Sequence, residues 1–156
     1  MVRYVFREEA ETIRAFVGIS FLQCSKAKYA VTFQNSTDGR IISYPVQEVQ
    51  NGKNGHLDYD LVSLIVINRI CQIIAQSKSH DDSVNVEVYC GSHLISFIWE
   101  KEYKQQSAFS ETTNHIGIWR KISRAVEENN IMLTIHGDGS AMDSMNRSEI
   151  VRASHA

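Results

Sequence analysis

The stretch VNVEVYCGSHLISFIWEK, residues 84–101, changes its hydrophobic period partway along. Val84, Val86, Val88 and Cys90 alternate with other residues, the period of two expected for one buried face of a strand. Leu94, Ile95, Ile98 and Trp99 then recur at helical spacing. A strand running straight into an amphipathic helix is half of an α/β crossover unit. In open α/β sheets the functional crevice lies beyond the carboxyl ends of the strands. Here that tip reads Cys90-Gly91-Ser92, and the glycine brings no side chain to it.

The rest of the chain supplies the partners of this unit. Ile13 to Ser20 reads as a strand, with REEAET before it able to continue as a helix. KYAVTFQ alternates through Tyr29, Val31 and Phe33, and RIISYPVQ follows after NSTDG, whose Asp-Gly pair is a hairpin signal. Pro45, the single proline, restricts the third strand to an edge or a strand end. After the Asn51-Gly-Lys-Asn-Gly loop, LDYDLVSLIVINRICQIIAQ lines Leu57, Leu61, Leu64, Ile65, Ile67, Cys71 and Ile74 along one wide stripe. Asp58 and Asp60 stand in its first turn, where a carboxylate favours the helix dipole. QQSAFSETT is a polar loop, and NHIGIWRKISRAVEEN a helix with Ile116, Trp119, Ile122, Ala125 and Val126 facing inward. IMLTIH is a strand, GDGSAMD a loop and MNRSEIVRASHA a short terminal helix. The order is βββαβααβα.

With 156 residues the chain is the size of one domain, 1–156, with 1–12 as a short N-terminal extension. A formal net charge of −2 gives no global attraction to nucleic acid or anionic membrane, so any such affinity must be local. No secretory signal is evident in MVRYVFREEAET, and no apolar run is read as long enough to span a bilayer. Cys24, Cys71 and Cys90 lack CxxC spacing, and an odd count suits a reducing compartment. The expectation is a cytoplasmic or nuclear chain with no membrane partner.

The element order and several strings resemble the ribonuclease HI family over nearly the whole chain after residue 12. VEVYCGSHLISFIW resembles the family's Tyr-Thr-Asp-Ser tip and second helix, and DLVSLIVINRI the helix that opens with its glutamate. NHIGIW is similar to the Asn-x-x-Leu-Trp helix opening, and MNRSEIVRA to the closing Asn-Glu-Arg-Ala-Asp-x-Leu-Ala helix. The resemblance implies a mixed five-stranded α/β sheet with flanking helices.

It also implies a site. Family members cut RNA in RNA–DNA hybrids with two Mg²⁺ ions held by four carboxylates, because Mg²⁺ demands hard oxygen ligands. Carried over position by position, the first aspartate falls at or beside Gly18 and the glutamate on Asp60. The second aspartate falls on Gly91 and the last on Glu149. Two acids remain with altered length, and two become glycine. The family's loop histidine falls on Gly139, with His136 three residues earlier. The basic handle is reduced to Lys101 and Lys104, leaving Arg120, Lys121 and Arg124 as the densest cationic cluster.

These residues imply a catalytically degenerate module that binds RNA, an RNA–DNA hybrid or a protein partner, with no metal or other cofactor. Asp60 and Glu149 are vestigial catalytic positions on this reading, and Arg120, Lys121, Arg124, Lys101 and Lys104 the nucleic-acid contacts. One alternative is a divergent Mg²⁺-dependent hybrid ribonuclease using Asp60 and Glu149, aided by Asp138 or Asp143. A second is a purely structural partner-binding subunit. His80-Asp81-Asp82 reads as a polar turn rather than a metal clip. DGSAMDSMNRSE fails as a calcium loop because Ser140, Met142 and a missing glycine break the pattern.

Overall fold

The structure is a computed structural model and describes residues 11–50, 56–79 and 81–137. The first three strands, β1 (Glu11–Gln23), β2 (Lys26–Asn35) and β3 (Ile41–Gln50), form an antiparallel meander. β4 (Val84–Tyr89) and β5 (Ile131–His136) add parallel to its far side, giving one five-stranded sheet in the order β3-β2-β1-β4-β5. Parallel neighbours need helical crossovers. The first is α1 (Tyr59–Ser77); the second runs through α2 (His93–Phe97), a π-helical segment (Ile98–Tyr103), a last turn α3 (Lys104–Gln106) and then α4 (Ile116–Glu128).

The alternation seen in the sequence becomes the core. Ala15 and Val17 of β1, Val84, Val86 and Val88 of β4, and Ile131, Leu133 and Ile135 of β5 pack in one cluster with Leu64, Ile67, Ile70 and Cys71 of α1. Trp119 and Ile122 of α4 join it. Trp99 and Trp119, expected in the core, are almost wholly buried and stack with centroids 6.1 Å apart. QQSAFSETT, read as a polar loop, contributes Phe109, which lies 5.2 Å from Trp119 and 4.4 Å from Tyr103. One aromatic in a polar string carries no periodicity, so nothing in the pattern marked it.

Both sheet edges are blunted, as an exposed row of unpaired backbone groups would invite pairing with another chain. On the β3 side, Tyr29 pairs with Gln47 but Val31 with Tyr44, so Pro45 and Val46 share the place opposite Ala30. Pro45 therefore stands at a bulge on an edge strand, where its missing N–H costs no ladder bond. On the β5 side, side chains from the second crossover cover the strand. Ser96 Oγ donates to the Ile135 carbonyl at 2.7 Å, and Trp99 Nε1 to the Leu133 carbonyl at 2.9 Å. Glu100 Oε2 accepts from the Ile135 amide at 3.0 Å.

Three features differ notably from the sequence reading. β1 already includes Glu11 and Thr12, ahead of Ile13, because they pair with Val84 and Asn85 in the parallel ladder. REEAET thus does not run as a helix into the strand at Glu11 and Thr12. Secondly, α1 is 19 residues long and apolar enough, by length and composition, to cross a membrane, contrary to the reading that no such run exists. Its residues Val62, Leu64, Val66, Ile67, Ile70, Cys71 and Ile74 are buried within the protein, as suits a core helix. Thirdly, α1 starts at Tyr59, so Asp58 is the N-cap and not a first-turn residue; its carboxylate accepts from the Leu61 amide at 2.7 Å. The loop at 51–55, His80, the stretch 138–144 and the expected terminal helix lie outside the described residues.

Candidate functional site

The site is built where α1 begins, β4 ends and α2 begins. β1 and β4 are adjacent and parallel, and their last paired residues are Phe16 and Tyr89. Gly18 and Gly91 each lie two residues beyond that pair, Gly18 still within β1 opposite Ala30 and Gly91 in the turn to α2. The positions carried over from the family as the first and second acids therefore follow the same pair on neighbouring strands.

The Tyr59 side chain occupies the space beside Gly91. The Gly91 amide donates to Tyr59 Oη at 3.1 Å. A Cβ on residue 91 would stand 2.6 Å from that oxygen and 3.2 Å from Tyr59 Cζ, inside van der Waals contact. Next along the chain, Ser92 Oγ donates to Asp60 Oδ1 at 2.6 Å and accepts from the Ile95 amide at 3.1 Å, capping α2. Asp60 is thus engaged by a buried hydroxyl. Burial chiefly raises the Tyr59 hydroxyl pKa; the Gly91 amide works against that rise, while Cys90 and Asp60 add to it. Burial likewise pushes the Cys90 thiol up, with Asp60 adding to the shift and a Ser92 backbone hydrogen bond opposing it. Cys90 is wholly buried and packs in the core.

The chain leaving β5 closes the same corner. At Gly137 a Cβ would stand 2.2 Å from the Ser92 carbonyl oxygen and 2.7 Å from Ser96 Cβ, so only glycine passes the start of α2. His136, just before it, is stacked rather than presented. Its ring lies 4.5 Å from Tyr89, which stacks on Phe16 at 5.0 Å, so one aromatic row crosses β1, β4 and β5. His136 Nε2 is buried without a hydrogen-bond partner among the described residues. Glu149, Gly139, Asp138 and Asp143 lie outside the described residues.

A two-Mg²⁺ centre of the family type does not fit the described residues here. Mg²⁺ takes near-octahedral oxygen coordination with carboxylates among its ligands. Asp60 is the one carboxylate among the four carried-over positions that the described residues include, and it shares an oxygen with Ser92. No group of three or more His, Cys, Asp or Glu side chains able to hold a metal occurs among the described residues. The sequence reading named Ser92 at the tip but not its bond to Asp60, and missed Tyr59. A Ser directly before a helix is a capping signal, but nothing in the pattern aims Tyr59 across to β4.

The cationic residues fall into two groups. Arg120, Lys121 and Arg124 are exposed on α4, away from buried Trp119 and Ile122. Lys101 is exposed on the π-helical segment. Lys104 is also exposed but paired: its Nζ lies 3.0 Å from Glu100 Oε1 and 3.4 Å from Thr134 Oγ1. A hydrogen bond from the Tyr103 hydroxyl to Glu127 ties the two elements together.

No protein-family profile matches this chain, and no curated protein sequence does. Solved structures match its fold. The N-terminal RNase H domain of rv2228c from Mycobacterium tuberculosis, solved as a fusion with maltose binding protein, superposes with a TM-score of 0.60 at 5% identity, over 92% of this chain and 96% of that one. LC11-RNase H1 in complex with RNA/DNA hybrid gives 0.58 at 12% identity, over 92% and 91%. The foamy viral protease-reverse transcriptase in complex with dsDNA gives 0.57 at 10% identity, over 94% and 92%. The chain has the ribonuclease H-like fold, a mixed five-stranded sheet with flanking helices.

Proposed function

We propose that this chain is a ribonuclease-H-like nucleic-acid-binding module without catalytic competence. The observation that carries the reading is the Gly91–Tyr59 contact: a tyrosine hydroxyl stands against the tip where the family places its second aspartate. Asp60, the remaining described acid position, is engaged by Ser92. Cleavage by the family's chemistry needs metals that bring the attacking and leaving oxygens under control. Binding needs only shape and phosphate contacts. Two neighbours in fold were solved with a nucleic acid bound, one with RNA/DNA hybrid and one with dsDNA, which supports the partner class.

On this reading Arg120, Lys121 and Arg124 contact phosphates, with Lys101 as an additional cation. Hybrid, duplex and single-strand binding measured at two salt concentrations tests it. Neutralising Arg120, Lys121 and Arg124 together to Gln should weaken binding across all sequences. The salt slope should become shallower by roughly one for each lost phosphate contact. Unchanged affinity and slope would remove this surface from the proposal.

A second reading, a protein-binding scaffold, is favoured by Leu94 and Phe97, which are 50% and 55% exposed one turn apart on the outer side of α2. On that reading the Leu94→Ser/Phe97→Ser variant loses its protein partner while binding nucleic acid as before.

A further inference from the structure

We infer that the Tyr59 side chain is a plug that closes this corner to a divalent cation, so that the lost centre has been rebuilt as a contact rather than left open. The inference rests on reading residue 91 as the family's second acid position. Three observations carry it. The Tyr59 hydroxyl is held by the Gly91 amide at 3.1 Å, and it stands 2.6 Å from where any side chain at 91 must begin. Asp60 follows Tyr59 on the first turn of α1, and Ser92 follows Gly91. The two neighbouring contacts, Tyr59 to Gly91 and Asp60 to Ser92, therefore link the same two elements side by side.

An aspartate at 91 would have to displace the Tyr59 hydroxyl, the end of a side chain held by the Gly91 amide, before its carboxylate could reach a cation shared with Asp60. Restoring acids at the two glycines is therefore insufficient while Tyr59 is present. A neutral hydroxyl donates or accepts a single hydrogen bond well but adds no charge to hold a hard cation. Burial keeps that hydroxyl in its neutral form.

Thermal unfolding of the full chain with and without Mn²⁺ tests this. The Gly18→Asp/Gly91→Asp variant should show no Mn²⁺-dependent rise in Tm. The same pair carried with Tyr59→Ala should show one, since a ligand bound only by the folded state raises Tm. An equal Mn²⁺ response with Tyr59 in place, or no response in either variant, would overturn the inference. A milder cycle serves if those chains fail to fold. Gly91→Ala should lower Tm more in the native background than beside Tyr59→Phe, which removes the oxygen 2.6 Å away. Equal losses in both backgrounds would also overturn it. Neither arm reads nucleic-acid binding, so failure of the proposed function and failure of the plug are separate results.

Discussion

Val86 and Val88 of β4 are fully buried among side chains from β1, β5 and α1. Three residues beyond Val88, Gly91 has no side chain and is held by one hydrogen bond to Tyr59. The two regions share a strand and are specified differently. The core is redundant, since many apolar groups each contribute area and a volume-conserving swap is tolerated. The corner is singular, because each contact there depends on one oxygen or on the absence of one Cβ. Mutations in the two regions should therefore differ in kind as well as in size.

The largest effect should come from the core. Trp99→Ala removes a buried indole and its hydrogen bond to the Leu133 carbonyl, and should cost about 3–5 kcal/mol in a denaturant titration. Trp99→Phe should recover a good part of that, as redundancy requires; no recovery would break the comparison. Gly137→Ala comes next. It adds one methyl group that would stand 2.2 Å from a backbone oxygen, and should cost about 1–3 kcal/mol, the scale of forced overpacking. A cost near zero would mean that the corner yields as easily as a surface loop.

Two capping residues sharpen the comparison. Asp58→Ala removes only the α1 cap, for about 1 kcal/mol. Ser92→Ala removes the α2 cap and also leaves Asp60 without its hydroxyl partner, so it should cost more than Asp58→Ala. Equal costs would show that the Asp60–Ser92 bond adds nothing.

The last effect is a pH dependence confined to alkaline solution. Burial pushes the Cys71 thiol from 9.0 up to about 12, and raises Tyr59 from its ordinary 10.0. In each case the folded pKa exceeds the unfolded one, so the native chain binds the proton more tightly. The resulting stability is fully present below the unfolded pKa and is lost as pH rises through the folded value. Stability should therefore fall from about pH 9 upward, and Cys71→Ala should lose stability less steeply between pH 9 and 12 than the native chain. An identical slope would assign the alkaline loss to other groups.

Much of the fold was legible in the sequence because periodicity records burial. The switch from period two to helical spacing at residues 84–101 corresponds to β4 and α2, and the Asp38-Gly39 signal falls at the β2–β3 turn. Irregular backbone left no such trace. The π-helical segment continues the apolar stripe of α2, so its altered winding does not show in the sequence. The inclusion of Glu11 and Thr12 in β1 rests on main-chain pairing. At the site, Gly18, Asp60 and Gly91 could be placed by resemblance. The contacts of Tyr59 with Gly91 and of Ser92 with Asp60 could not, since they depend on which atoms of α1 reach the end of β4 across the fold.

The most direct test is hybrid cleavage. Purified chain incubated with an RNA–DNA hybrid in Mg²⁺ and in Mn²⁺, beside an active ribonuclease H under the same conditions, should leave the hybrid intact. Metal-dependent cleavage by the native chain that disappears in Asp60→Asn would contradict the account, because it would require a working metal centre where Tyr59 and Ser92 now stand.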